Sequence, residues 1–144
     1  MVPNVATLST LLGSDRARET SLLDIASRVE RGLPLAALDR VARAIAPDDG
    51  SFISAIVPKA TLSRRRASAE ARLSAEESNK VARLAKVWAM AMSVWRDEAD
   101  AREFLHRPHP LLDGRRPRDL ALGSDPGADA VVNIIGRGAY GGGV

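Results

Sequence analysis

The sequence predicts an all-α fold, and three observations carry that expectation. Hydrophobic residues make up 45% of the 144-residue chain but aromatics only 3%, so a core must be assembled mainly from Leu, Val, Ile and Ala, without the β-branched and aromatic runs that favour strands. Apolar residues recur three and four positions apart over most of the chain, which places them on one face of a helix. Ser74 followed by Glu77 is a capping box, in which each side chain satisfies a backbone N–H that the first helical turn leaves open.

Taken in order, residues 1–20 show no sustained period and contain Ser, Thr, Gly and Pro, so a flexible tail is expected. From Ser21 the pattern turns helical. Leu22, Ile25, Ala26 and Val29 form a stripe that ends at Gly32. Pro34 suits the first turn of the next helix, whose stripe is Leu35, Leu38, Ala42 and Ile45. Pro47-Asp48-Asp49-Gly50 is a turn. A short apolar helix follows with Phe52, Ile53 and Ile56, and with Ser51 as its expected cap. Pro58 opens another short helix from Lys59 to about Ala69. The capping box starts a long helix bearing Val81, Leu84, Ala85, Trp88, Met92 and Trp95. Asp97 caps the next, with Phe104 and Leu105 as its core residues and Pro108 and Pro110 beyond its end. Pro117 marks a further helix start, and Ser124-Asp125-Pro126 begins the last helix, which Gly136 is expected to end.

Several function classes drop out on composition. The chain has no cysteine, hence no disulfide, thiolate metal site or cysteine nucleophile. No apolar run reaches the roughly 20 residues of a membrane span, and residues 1–13 lack the basic region that opens a signal peptide. His106 and His109 are the only histidines; the nearest acids, Glu103 and Asp113, complete no recognised zinc spacing. The glycines at 136, 138 and 141–143 follow a helix rather than a strand, unlike a phosphate loop. No Ser/His/Asp set of known spacing is present. The expectation is a binding protein rather than an enzyme, with no cofactor and no metal.

Two segments remain as candidate binding elements. Residues 50–69 carry no acid but hold Lys59, Arg64, Arg65 and Arg66 on a short helix that follows another short helix across a tight Val57-Pro58 turn. That is the layout of a helix-turn-helix, whose second helix enters the major groove. Arginine forks pair with guanine edges or phosphates, and Thr61 and Ser63 add hydroxyl donors. A solvated basic face has the same spacing, so composition alone leaves both open. Three consecutive arginines also cannot all face one way on a helix, so some must turn to solvent or to an acid of the chain itself. The second segment, His106 to Val144, reads as a protein-docking element. Its glycine-rich end has the composition of an ordinary disordered tail, yet it presents Arg137 and Tyr140, residue types enriched at binding hot spots.

A resemblance sharpens both. Arg72-Leu73-Ser74 with Glu76-Glu77-Ser78, then Pro108-His109-Pro110-Leu111-Leu112-Asp113-Gly114-Arg115-Arg116-Pro117, and a closing Gly136-Arg137-x-x-Tyr140-Gly141 resemble the Xre/MbcA/ParS-type antitoxins that pair with RES-domain toxins in type II toxin–antitoxin systems. The likeness covers about Leu33 to Gly141, and Pro58 to Arg65 resembles the family's recognition-helix region. Phe104-Leu105 stands where the family has Trp-Leu, and Gly138-Ala139 is smaller than usual.

The resemblance implies an Xre-like helix-turn-helix module that dimerises and represses its own operon on double-stranded operator DNA. A small helical toxin-binding domain follows it. The implied toxin degrades NAD, and the antitoxin covers its active-site entrance. The implied DNA contacts are Lys59, Thr61, Ser63, Arg64, Arg65 and Arg66; the implied toxin contacts are Arg115, Arg116, Pro117, Arg137 and Tyr140. The expected organisation is a flexible tail over 1–20, the helix-turn-helix domain over 21–80, and the toxin-binding domain over 81–144, in a cytoplasmic homodimer within a larger complex. The alternative is a helix-turn-helix transcriptional regulator whose C-terminal half dimerises or senses, with no toxin partner.

Overall fold

The computed structural model describes residues 5–13, 21–69 and 71–139. Within them the fold is all-α. Four helices precede the basic segment or lead into it: α1 (Val5–Leu11), α2 (Leu22–Arg31), α3 (Leu35–Ile45) and α4 (Ser51–Ile56). The basic helix is α5 (Lys59–Arg66). The long helix α6 (Ala75–Trp95) follows, then α7 (Glu98–His106), a 3-10 turn (Pro110–Leu112), α8 (Pro117–Gly123) and α9 (Asp125–Ala139). Extended pairing among the described residues is limited to two isolated bridges, Pro34 with Arg72 and His109 with Arg115.

The helix starts follow their capping chemistry. Ser21 and Asp24 form a capping box on α2, as Ser74 and Glu77 do on α6. The Asp97 carboxylate accepts from the Asp100 N–H at 3.0 Å, and the Ser124 hydroxyl accepts from the Gly127 N–H at 3.0 Å. Each leaves one fewer orphan donor in a first turn.

Four local expectations need correction. Residues 5–11, expected within a tail, form α1, because Leu8 and Leu12 are buried against the core. Ser51 lies inside α4, whose N-cap is Gly50; the Asp49 carboxylate accepts from both the Ser51 N–H at 3.0 Å and its hydroxyl at 2.5 Å. The basic helix stops at Arg66, not near Ala69. The last helix runs through Gly136 to Ala139. Gly136 packs against Met90, its Cβ position 3.9 Å from the methionine methyl, and continued helical bonding there outweighs the ~1 kcal/mol helix penalty of glycine.

One helix organises the whole. On α6 the consecutive residues Val87, Trp88, Ala89, Met90 and Ala91 are all buried, so this stretch is covered on every side. It packs on α1, α2, α3 and α4 from the first half and on α7, α8 and α9 from the second. The expected domain limit between residues 80 and 81 therefore falls within a continuous helix that serves both halves.

Two glycines mark where backbone meets backbone. Gly32 has φ of +94° and lies against the Leu73 carbonyl, which closes the turn between α2 and α3. Gly127 lies against the Leu120 carbonyl with ordinary helical dihedrals; it lets α9 approach α8.

The two halves also meet in a polar joint at the C-terminal end of α3. His106 Nε2 lies 2.8 Å from the Ile45 carbonyl, which can only accept, so Nε2 carries the proton. Its Nδ1 lies 3.1 Å from Arg118 Nη1, which can only donate, so Nδ1 accepts. The imidazole must be neutral to make both bonds. Arg118 is 8% exposed; it continues to Asp49 at 3.3 Å and lies over the Phe52 ring at 5.2 Å. Arg102 Nε donates to the Ala44 carbonyl at 2.7 Å and its guanidinium lies over Trp88. Three side chains of the second half thus attach it to the end of α3 and the start of α4, two of them directly on the terminal carbonyls of α3, where the helix dipole favours positive partners.

Burial, and next the neighbouring Arg118 and Arg116 charges, hold His106 below the usual 6.5, against the opposing pull of the Ile45 carbonyl and Asp49. The unfolded chain then binds more protons than the folded one just below that value, so stability falls as pH drops through about 6.5 towards the depressed folded pKa. Thermal unfolding across that window should show the decline in the wild type and a flatter profile in His106→Gln. Separately, Gly127→Ala should lose about 1–3 kcal/mol in denaturant unfolding, since the added methyl meets the Leu120 carbonyl. Gly123→Ala, whose methyl meets nothing within 4 Å, should not.

Candidate functional site

The basic helix α5 is anchored through one apolar residue and two of its arginines. Leu62 is its buried residue. Arg65 makes an ion pair with Glu77 at the first turn of α6. Burial pushes Glu77 up, but the Arg65 guanidinium and the Ser74 cap outweigh that and hold its carboxyl below the ordinary range. Arg66 makes a two-pronged pair with Asp39 on α3, at 2.8 and 3.1 Å, and this pairing raises the Arg66 pKa further. The expectation that consecutive arginines divide between solvent and internal acids therefore holds, with a specific division. Lys59, Ser63 and Arg64 face solvent, and Thr61 is half-buried. Lys59 and Arg64 make no ion pair among the described residues, whereas Arg65 and Arg66 orient the helix.

The other candidate surface begins with a self-bonded loop. The His109 N–H donates to the Arg115 carbonyl at 3.1 Å, and the Gly114 N–H returns to the His109 carbonyl at 3.0 Å. His109 Nδ1 accepts from the Leu111 N–H at 3.1 Å, which starts the 3-10 turn. Asp113 and Gly114 both take left-handed backbone, with φ of 55° and 77°, so the chain reverses sharply. The loop is seated on aromatic rings: His109 meets Phe104 edge-on at 5.9 Å, and Phe104 packs on Trp95 at 4.8 Å. Both histidines therefore have structural partners, His109 in this turn and His106 in the joint.

Arg115 emerges exposed from this loop. Arg116 is half-buried and pairs with Asp119 at 2.9 Å. Pro117 is buried as the first residue of α8, where a missing N–H costs nothing. Arg137 is exposed in the last turn of α9. No hydrogen bond or ion pair among the described residues links it to the loop. Tyr140 lies outside the described residues. Arg118 and Arg102, which the joint depends on, carry no signal of that role in the sequence, and Asp49 reads there only as a turn residue. Arg118 stands beside Arg115, Arg116 and Pro117 in one basic run, and nothing in that run distinguishes the buried arginine from the exposed one.

The second half is rigidly mounted. Arg83 on α6 donates to the Ala121 carbonyl at 3.0 Å and the Leu122 carbonyl at 2.7 Å, closing the open end of α8, and also pairs with Asp125. Lys86 pairs with Asp129 on α9 at 3.1 Å. Such exposed pairs contribute little each, but the carbonyl bonds fix α8 against α6. Among the described residues no group of three or more His, Asp or Glu side chains is placed to hold a metal ion. No helix among them is long and apolar enough to cross a membrane.

Comparison with known families agrees with this division. Residues 24–86 match the antitoxin Xre-like helix-turn-helix domain. Residues 90–141 match the antitoxin Xre/MbcA/ParS C-terminal toxin-binding domain. No curated protein matches the chain. The two matched segments follow one another in the order the fold presents them, one on each part of α6, and the chain belongs to the Xre/MbcA/ParS-type antitoxins.

Proposed function

We propose that this chain neutralises a cognate RES-domain, NAD-degrading toxin by covering the entrance to its active site, and that it represses its own operon by binding operator DNA as a homodimer. It acts by binding rather than by catalysis, in the cytoplasm where operon and toxin meet. The matched toxin-binding domain supports the first activity in general terms, and the helix-turn-helix domain the second. The RES identity of the toxin rests on the motifs around Pro108–Pro117 and Gly136–Gly141.

The observation that carries the masking reading is the loop from His109 to Arg115. It is held by its own backbone bonds and by the Phe104 ring, and it ends on an exposed arginine. A preorganised loop backbone loses little freedom on docking. Arg115, Arg137 and Tyr140 are assigned direct contact with the toxin. Arg116 and Pro117 place Arg115 through the start of α8. On the DNA side Lys59, Ser63 and Arg64 contact the duplex and Thr61 borders it, while Arg65 and Arg66 set the angle of α5. The domains follow the same division: a helix-turn-helix unit over residues 21–80 and a toxin-binding unit from 81, sharing α6.

Co-expression with the neighbouring toxin gene tests the masking. Full-length chain should restore growth. A chain ending at Gly136, or one carrying Arg115→Glu with Arg137→Glu, should fail to do so while remaining folded by circular dichroism. Retained rescue by the double variant would overturn the contact assignment, and failure of the intact chain to rescue or co-purify would overturn the masking itself.

Gel shift on the duplex upstream of the reading frame tests the repressor role. Lys59→Ala with Arg64→Ala should weaken binding and reduce the slope of log K against log salt by about 2, roughly one for each phosphate that is no longer neutralised. Arg65→Ala should act instead on thermal stability. Unchanged affinity and slope in the Lys59/Arg64 variant would remove α5 from the DNA interface.

A further inference from the structure

A second basic feature shares no residue with α5 or with the loop from His109 to Arg115. The turn between α2 and α3 borders a cleft of about 570 Å³ lined by Arg28, Arg31, Gly32, Leu33, Pro34 and Arg72. Three arginines line this concavity, and no carboxylate of the described residues does. None of the three makes an ion pair among the described residues, although Arg65, Arg66, Arg83, Arg102, Arg107, Arg116 and Arg118 all do. Like charges gathered around one hollow repel, and the repulsion is strongest where water is partly excluded.

The arginines are also held in place. Arg28 Nη2 donates to the Leu12 carbonyl at 2.9 Å, and Arg72 Nη1 donates to the Gly32 carbonyl at 2.9 Å. Each bond fixes a fork and leaves its other N–H groups pointing elsewhere. Arg28 Nη1 is buried with no hydrogen-bond partner among the described residues. A buried charged donor left unpaired is costly and calls for an acceptor. Arg31 is exposed, with no partner of its own among the described residues.

We propose that this cleft is an oxyanion site that seats a phosphoryl group, with Arg28 and Arg72 as fixed forks and Arg31 closing over it. Arginine suits that ligand because its planar fork matches two oxygens of a phosphate at once. The group is either a backbone phosphate of bound DNA or a free phosphate or pyrophosphate. The Asp39–Arg66 pair joins α5 to the first half of α3, and the Pro34–Arg72 bridge stands at the start of that same helix, so both basic features are tied to α3.

The test uses the full chain and Arg31→Gln, a change to a side chain that forms no bond within the described residues and so leaves the fold intact. Inorganic phosphate and pyrophosphate are titrated by thermal shift and calorimetry at constant ionic strength, with chloride as control. The upstream duplex is titrated over a range of salt. If pyrophosphate raises the wild-type melting temperature above the chloride control and Arg31→Gln at least halves that rise, the site takes free phosphate. If free anions have no effect but Arg31→Gln weakens duplex binding and lowers its salt slope by about 1, the site takes the DNA backbone. If Arg31→Gln changes neither, the proposal is overturned, whatever the outcome at α5 or at the toxin-facing loop.

Discussion

Both halves of this chain depend on a single helix for their cores. Residues 87–91 of α6 are buried on all sides, a pattern expected of a central helix rather than of one lying on a surface. It packs on the helix-turn-helix elements and on α7, α8 and α9 alike, with Arg83 and Lys86 near its middle already reaching α8 and α9. Few large side chains are available, so small residues such as Ala85, Ala89 and Ala91 let several neighbours approach it closely. The buried apolar residues of both halves form one cluster with those of α6.

Where apolar packing ends, arginine takes over. Arg83 closes the C-terminal end of α8, Arg102 that of α3, and Arg72 bonds the Gly32 carbonyl in the turn. These groups satisfy carbonyls that helix ends and turns leave open. The joint formed by His106 and Arg118 goes further, since it crosses from one half to the other and works only with a neutral imidazole. Arginine in this protein is thus divided between internal fastening and surfaces left for other molecules. High pI alone says nothing about that division.

The loop from His109 to Arg115 shows how an ordered contact surface arises without regular structure. Two successive residues in left-handed backbone reverse the chain, and the reversal brings the His109 and Arg115 backbones into register. The Trp95–Phe104–His109 ring series ties that reversal to the end of α6. The loop that carries the exposed arginine is therefore tied to the same helix on which the helix-turn-helix half packs.

Much of this was legible in the sequence. Apolar spacing located most helices, and local chemistry located their starts, because Ser21, Ser74, Asp97 and Ser124 act within one turn of their own positions. The family motifs were legible for the same reason, being contiguous runs. What the chain order could not specify was which charged residues find each other across it. Asp49 reaches Arg118, Asp39 reaches Arg66, and His106 reaches the carbonyl of Ile45. Those pairings are set by helix packing, and the exposed and buried arginines of one basic run look alike until the packing exists. The sequence by itself determined an all-α antitoxin and its two candidate binding segments. Only the tertiary structure decided that one helix serves both, that α1 belongs to the core, and which cations remain free to meet a partner.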